Sequence, residues 1–364
     1  MDPQQVLCPH LACMARGHVG QGNIRRHSRT AQRYRCTRCR KTFSARSGTV
    51  FYRSHTPAWL LTVVLALLAP GCPVAAIAAV FGIQPRTVRA GVAAAGTQAQ
   101  ARHEQLVAQP RDLVQVQAAE IRVKTQGHVV WMARALMVRT RLWLGGVVGA
   151  SRDRALIDKL ARQLRACATR RPLLIAGDGV VTYGGALERA FRTAVLTGRR
   201  GAPRWRIWAE LVIGQVIKQY ARRRVVGVGH WIARGTAAAA TALVKASAGG
   251  QVLNTAYIAR RNATFRERLA SLRRRGRSLA RTTASLTAEM YLVGTVYNFC
   301  SPHASLRQTT GQDQTPAMAA GSSDHGWTMP ELLEQRVPPA RWHPPKQRGR
   351  PSAAQKRRIE RWAA

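Results

Sequence analysis

Between Val114 and Gly179 the chain alternates β-branched apolar runs with short polar breaks. VQVQAAEIRVK, VVWMARALMV and RLWLGGVVGA are separated only by Thr125 to His128 and Arg139 to Arg141. That spacing predicts three strands in an antiparallel meander. A charged segment from Ser151 to Ala168 has helical periodicity, and Pro172 then opens a fourth apolar run, PLLIAGDG, which stops at Asp178 and Gly179. In an open α/β sheet the carboxyl end of a strand presents side chains to a ligand, which makes Asp178 a candidate site residue. The same pattern fits a mixed α/β domain in which Asp178 caps the next helix.

Upstream, Leu60 to Val80 carries no charge and is long enough to raise the question of a membrane span, but Pro70, Gly71 and Pro73 sit at its centre. Two short helices and a turn fit better than a span. WLLTVVLALLA, VAAIAAVF and QPRTVRAGVAAAG then read as three helices, with Pro85 in the first turn of the third. The pattern predicts a helix-turn-helix in which Arg86, Thr87 and Arg89 lie where a recognition helix meets base edges. A plain helical hairpin is the alternative. Thr97 to Asp112 reads as a polar helical linker.

Downstream of Asp178 the basic residues thicken. Arg189 to Arg224 holds ten Lys or Arg against Glu210 alone, with Trp205 and Trp208 interleaved, and Ala259 to Arg281 holds nine Arg against Glu267 in a helical pattern. The tryptophans suit base stacking and suit a core equally. Val212 to Tyr220 and Arg224 to Ile232 read as strands, and Thr236 to Ala248 as a helix. From Gln308 onward regular pattern fades, and the last residues read as an extended basic tail. Within it RGRP, Arg348 to Pro351, resembles an AT-hook, whose arginines Arg348 and Arg350 would enter a minor groove. A generic polybasic tail explains it as well.

Charge changes the picture most. Lys and Arg number 58 against 16 Asp and Glu, a formal charge of +42. A compact fold with that self-repulsion calls for a polyanion, and nucleic acid is the obvious one. The amino terminus shows no signal-peptide pattern. Of seven cysteines, Cys8 and Cys13 form one pair and Cys36 and Cys39 another, with polar, basic sequence between. Two such pairs supply the four soft ligands of a structural Zn²⁺ and indicate a reducing compartment. His10 is an alternative to Cys8 or Cys13.

These pieces together resemble a known family. RYRCTRCRKTFS (Arg33 to Ser44), GTVFYR (Gly48 to Arg53), RLWLGGVV (Arg141 to Val148), NTAYIARRNATFR (Asn254 to Arg266), YNFCSPHASLR (Tyr297 to Arg307) and TPAMAAG (Thr315 to Gly321) are similar to segments of bacterial insertion-sequence DDE transposases. The resemblance covers nearly the whole chain. It implies an α/β fold, a ribonuclease-H-like mixed sheet with helices, preceded by a small zinc ribbon and an all-α helix-turn-helix. The boundaries expected are 1–54 for the ribbon, 55–100 for the helix-turn-helix, 101–307 for the catalytic-type domain with a basic insertion at about 189–250, and 308–364 for the tail.

Such enzymes use three acids, in segments like QADEI, VDG and YIERLN. This chain reads QAAEI, AGDG and YIARRN, so Ala119 and Ala259 stand where Asp and Glu are expected and Asp178 alone matches. Glu120 is adjacent to Ala119, but neighbouring strand residues face opposite sides. The family implies Mg²⁺ or Mn²⁺ for catalysis, double-stranded DNA with terminal inverted repeats as partner, a homo-oligomer, and a cytoplasmic, nucleoid-associated bacterial location without a membrane. With two acids gone, the expectation is a transposase by descent with impaired cleavage, or a non-catalytic DNA-binding protein or inhibitor derived from one.

Overall fold

The run Arg33–Cys36 buries every second side chain, Tyr34 and Cys36, as a strand with one covered face must. It is the middle strand of a small antiparallel sheet, β1 (Ile24–Ser28), β2 (Arg33–Cys36) and β3 (Thr42–Ser44). The computed structural model describes residues 2–178, 182–195, 203–222, 224–272, 279–344 and 349–363. It divides the chain into two compact units, Met1–Ala58 with Leu333–Ala364, and Trp59–Leu332.

The larger unit begins with three helices, α1 (Ala58–Leu68), α2 (Val74–Phe81) and α3 (Pro85–Leu106). Gly82, in the left-handed region at φ 62°, ends α2, and Pro85 opens α3, so the helix limits follow the turn residues. The third helix does not stop at Gly96. It continues over the segment expected to be a linker, and Gly96 marks a close approach instead: a Cβ there would come within 2.3 Å of the Ala288 carbonyl oxygen. Burial of Ala99 and His103 holds the extension against the rest of the unit.

The meander forms as expected: β4 (Gln115–Lys124), β5 (Val129–Met137) and β6 (Trp143–Gly149) are antiparallel neighbours. Helix α4 (Arg154–Cys167) follows, capped by Asp153, whose side chain accepts from the Leu156 amide at 2.9 Å. Leu156, Ile157, Leu160, Ala161 and Leu164 form its buried face, each large side chain contributing about 1.5–3 kcal/mol. The strand β7 (Leu173–Asp178) then pairs in parallel with β4. Beyond α5 (Thr182–Ala190) lie a ribbon of β8 (Arg192–Val195) and β9 (Arg204–Ile207), then β10 (Leu211–Ala221) and β11 (Arg224–Arg234). The main sheet has the order β11-β10-β7-β4-β5-β6.

The basic stretch expected to be an insertion therefore supplies two strands of this sheet. Apolar residues at Leu211, Val212, Ile213 and Val216 are buried and bring β10 parallel to β7, and charge elsewhere in the stretch does not remove that driving force. Helices α6 (Ala237–Ala246), α7 (Ala256–Arg268) and α8 (Thr283–Cys300) follow, then the short α9 (Ala304–Thr310), α10 (Pro316–Ala319) and α11 (Met329–Glu334). The Arg-rich helical pattern expected from Ala259 to Arg281 ends as an α-helix at Arg268, and residues 273–278 lie outside the described residues.

Side chains of alternate parity separate the two faces of the sheet. Val116 and Ala118 pack with α4 and α5, whereas Ile121 and Val123 pack with Phe265 of α7 and Met290 of α8. Among the described residues no helix is long and apolar enough to cross a membrane.

The tail does not run out extended. Residues 353–362 form α12 (Ala353–Trp362), with a capping box at Ser352 and Gln355, and Trp362 is buried with Cys8, Ile24, Tyr34 and Phe43. Exclusion of one large aromatic from water outweighs the polar composition around it. Arg350 is exposed, and Arg348 falls outside the described residues.

One buried base sets an acid limit. His103 packs against Trp143 and Tyr291, its Nε2 lies 3.2 Å from the Leu144 carbonyl oxygen, and burial pushes its pKa down to about 4. The unfolded chain, with an ordinary histidine near 6.5, takes up the proton first. Stability is thus unaffected by this residue above pH 6.5 and falls between 6.5 and 4, by on the order of 3 kcal/mol. Thermal melts of the protein and of His103→Gln across that range should show a shallower acid slope in the variant. Equal slopes would clear His103 of the effect.

Candidate functional site

Four sulfurs meet in the smaller unit. Cys8, Cys13, Cys36 and Cys39 place their Sγ atoms all within 4.8 Å of one another, with Cys8 to Cys39 at 3.7 Å and Cys13 to Cys36 at 3.9 Å. A tetrahedron of Zn–S bonds has edges of roughly 3.8 Å, so the donor set and its spacing fit a metal such as zinc. Asn23 donates through Nδ2 to Cys36 Sγ at 3.4 Å, the kind of outer contact that orients a ligand. Burial raises the Cys8 and Cys13 thiols, Cys13 to about 11. At Cys36 burial acts the same way but is outweighed by the Cys39 and Arg38 amides and Asn23, and the thiol lies below its ordinary value. His10 is not in the cluster; its ring stands edge-on to Phe43.

The second locus is the carboxyl end of β7. The register pairs Ala118 with Gly177, which sets Ala119 beside Asp178 at the next step of the parallel ladder. Helix α7 docks over them. Gln117 donates to the Asn254 carbonyl at 2.8 Å and accepts from the Ile258 amide at 3.0 Å. Ile258, fully buried, packs on Ala119. Thr255, which begins α7, donates to Asp178 Oδ1 at 3.0 Å, and the Ala259 amide donates back to the Thr255 carbonyl at 3.0 Å. Ala119 and Asp178 thus lie at one end of the sheet under the start of α7, the helix that carries Ala259, and of these three positions only 178 is acidic.

Glu120 turns to the other face. Its carboxylate accepts from Arg152 at 2.7 Å and from the Tyr183 hydroxyl of α5, and its side chain is 1% exposed. It is committed to that pair, on the face of the sheet opposite Ala119. Asp178 meets a cation instead, Lys218 Nζ at 3.8 Å, in a half-exposed pair that contributes little stability. Hard divalent ions bind several carboxylate oxygens, and one acid with a threonine and a lysine does not fit them. Glu267 is exposed near the far end of α7.

The register also exposes a residue that sequence inspection passes over. Arg134 is the direct cross-strand partner of Ala119 and is wholly buried. Its guanidinium bonds Asn262 Oδ1 and lies 3.9 Å from the centre of the Phe265 ring, while Nε and Nη1 have no hydrogen-bond partner among the described residues. Burial, with Arg261 and Arg266 nearby, drives its pKa well down. A buried cation without an acid is costly, and an apolar residue of similar volume is often more stable. Arg134→Met should raise stability by about 1 kcal/mol or more, after the lost bond to Asn262 is counted, and the melting temperature with it. A lower melting temperature in calorimetry would show that the cation has an undetected counterpart.

The expected DNA contacts are accessible. Arg86 and Arg89 are exposed in the first turns of α3 and Thr87 is half-buried. The two tryptophans part company: Trp208 is buried against Phe191 and under Arg165, whereas Trp205 is 53% exposed beside Arg192. Thr255 and Gln117 lie inside the segments NTAYIARRNATFR and QAAEI without having been singled out there, whereas Lys218 and Arg134 lie in no such segment. No protein-family model matches the chain, and no curated protein matches it.

Proposed function

We propose that this chain is a DNA-binding protein of the insertion-sequence DDE transposase kind, with a ribonuclease-H-like domain that no longer cleaves efficiently. The observation that carries the reading is Ala119 and Asp178 at one end of the sheet under the first turn of α7, which also carries Ala259, in a fold where three antiparallel strands, a helix and a parallel strand succeed one another. The cross-strand cation Arg134, left without an acid opposite Ala119, is what an Ala in place of an Asp would leave behind. The four-cysteine cluster is read as a structural Zn²⁺ site, and α2 with α3 as a helix-turn-helix presenting Arg86 and Arg89. The formal charge of +42 supports a duplex partner such as terminal inverted repeats. A homo-oligomer and a cytoplasmic, nucleoid-associated location belong to the same reading.

Asp178 by itself offers too few oxygens for Mg²⁺ or Mn²⁺, so binding and cleavage should separate. A mobility shift on linear duplex DNA, run beside a nuclease and strand-joining assay with either ion, tests this. Retarded DNA that stays intact is expected, with affinity falling steeply as salt rises. Metal-dependent cutting by the unaltered chain would refute the loss, and preference for RNA at equal salt would refute the duplex.

A further inference from the structure

Along α7 from Arg260, the residue after Ala259, to Arg268, a concavity of about 280 Å³ opens between α7 and the turn joining α8 to α9. One wall is Arg260, Thr264 and Arg268, spaced four residues apart and so stacked on one helix face. The other carries Ser301, His303 and Ser305. Among the described residues no aspartate or glutamate lines it.

Its cations are placed but unneutralised. Among the described residues Arg268 Nη1 bonds Ser301 Oγ alone, at 3.4 Å, and the Arg260 guanidinium has no hydrogen bond or ion pair. Arg141 donates through Nε to Ser305 Oγ at 3.3 Å and its ring partner is Tyr257. Behind the wall, Arg261 is buried over the Tyr297 ring, and none of its three guanidinium nitrogens has a hydrogen-bond partner among the described residues. Burial and the guanidinium groups of Arg141, Arg261 and Arg260 hold the pKa of His303 down at about 4, so the ring is neutral at pH 7. Its Nδ1 accepts from the Ser305 amide at 3.3 Å, which assigns the proton to Nε2, a further donor.

Guanidinium forks, hydroxyls and an imidazole N–H around a small hollow match a tetrahedral oxyanion with several acceptor oxygens. A group with that charge would also relieve the repulsion among the four arginines. We propose that this hollow binds a phosphate group of a nucleic-acid strand, held by Arg260, Arg268 and the Ser301–Ser305 turn. It rests on the functional reading above only for the source of the phosphate.

The test uses the metal-loaded full chain. Inorganic phosphate is titrated calorimetrically, then a short single strand with and without a 5′ phosphate is added as competitor. Arg260→Gln with Arg268→Gln should weaken phosphate binding at least about tenfold, since charge-assisted bonds are lost, while Arg122→Gln, an exposed arginine elsewhere on β4, should change nothing. Ser305→Ala keeps every charge and should weaken it several-fold, and circular dichroism checks the fold of each. Oligonucleotide affinity should lose about one unit of salt slope per phosphate contact removed. Displacement only by the phosphorylated strand identifies a terminal monoester, and displacement by both identifies a backbone diester. Equal phosphate binding by the double variant, or an equal loss in Arg122→Gln, overturns the pocket. Phosphate held but never displaced by either strand overturns the nucleic-acid source. Should phosphate bind as described while duplex DNA is not retarded, the functional reading falls and the pocket stands.

Discussion

Replacing Ala119 by Asp and Ala259 by Glu together is expected to produce divalent-metal-dependent DNA cleavage well above that of the unaltered chain. The two changes meet different surroundings. Ala119 is 2% exposed, against Ile258 and Leu136, and an isolated carboxylate there would be costly. Its cross-strand neighbour, however, is Arg134, a buried cation with two unsatisfied nitrogens, so the new acid gains a partner at direct cross-strand distance. Ala259 is exposed in the first turn of α7, where the helix dipole favours an acid by about 0.3–1 kcal/mol. The double variant should therefore fold, and with Asp178 it would present three carboxylates at one end of the sheet. Neither single change completes that set. The assay is nicking of a linear end with Mg²⁺ or Mn²⁺, with Asp178→Asn added to the double variant as the control that must abolish it. Activity surviving that third change, or failure of a folded double variant to bind either ion, would remove the proposed geometry.

Chelation is expected to unfold the smaller unit and leave the larger one standing. Its strands are three to five residues long, and three of the nine residues in its buried cluster are cysteines, so little apolar area remains to oppose chain entropy. Structural zinc supplies about 10–16 kcal/mol in comparable small modules, more than such a core contributes. Cys36→Ser should act like the chelator. Because Trp362 belongs to the same cluster, α12 should lose its amide protection together with β2, although some 320 residues separate them in the chain. Hydrogen exchange with and without chelator reads both units at once. Protection persisting at Tyr34 and Ile359 after the metal is stripped, or loss in β4 and β5 as well, would contradict the account.

Much of this was legible in the chain because the signals are local. Period-two runs bounded by polar turns gave β4, β5 and β6, the helical periodicity of the charged segment from Ser151 to Ala168 gave α4, and Gly82 with Pro85 fixed the limits of α2 and α3. The cysteine pairs announced their own convergence, since a soft-metal site needs four ligands and only two pairs were on offer. Parity alone turned Glu120 away from Ala119. What the sequence could not decide is where distant segments meet. The basic tract entering the sheet as β10, the tail returning as α12, and Thr255 and Lys218 closing on Asp178 all depend on contacts between residues far apart in sequence, which leave no periodic mark. Arg134 is the sharpest case: its isolation is a property of the β4–β5 register and the overlying α7, and no inspection of one strand reveals what faces it.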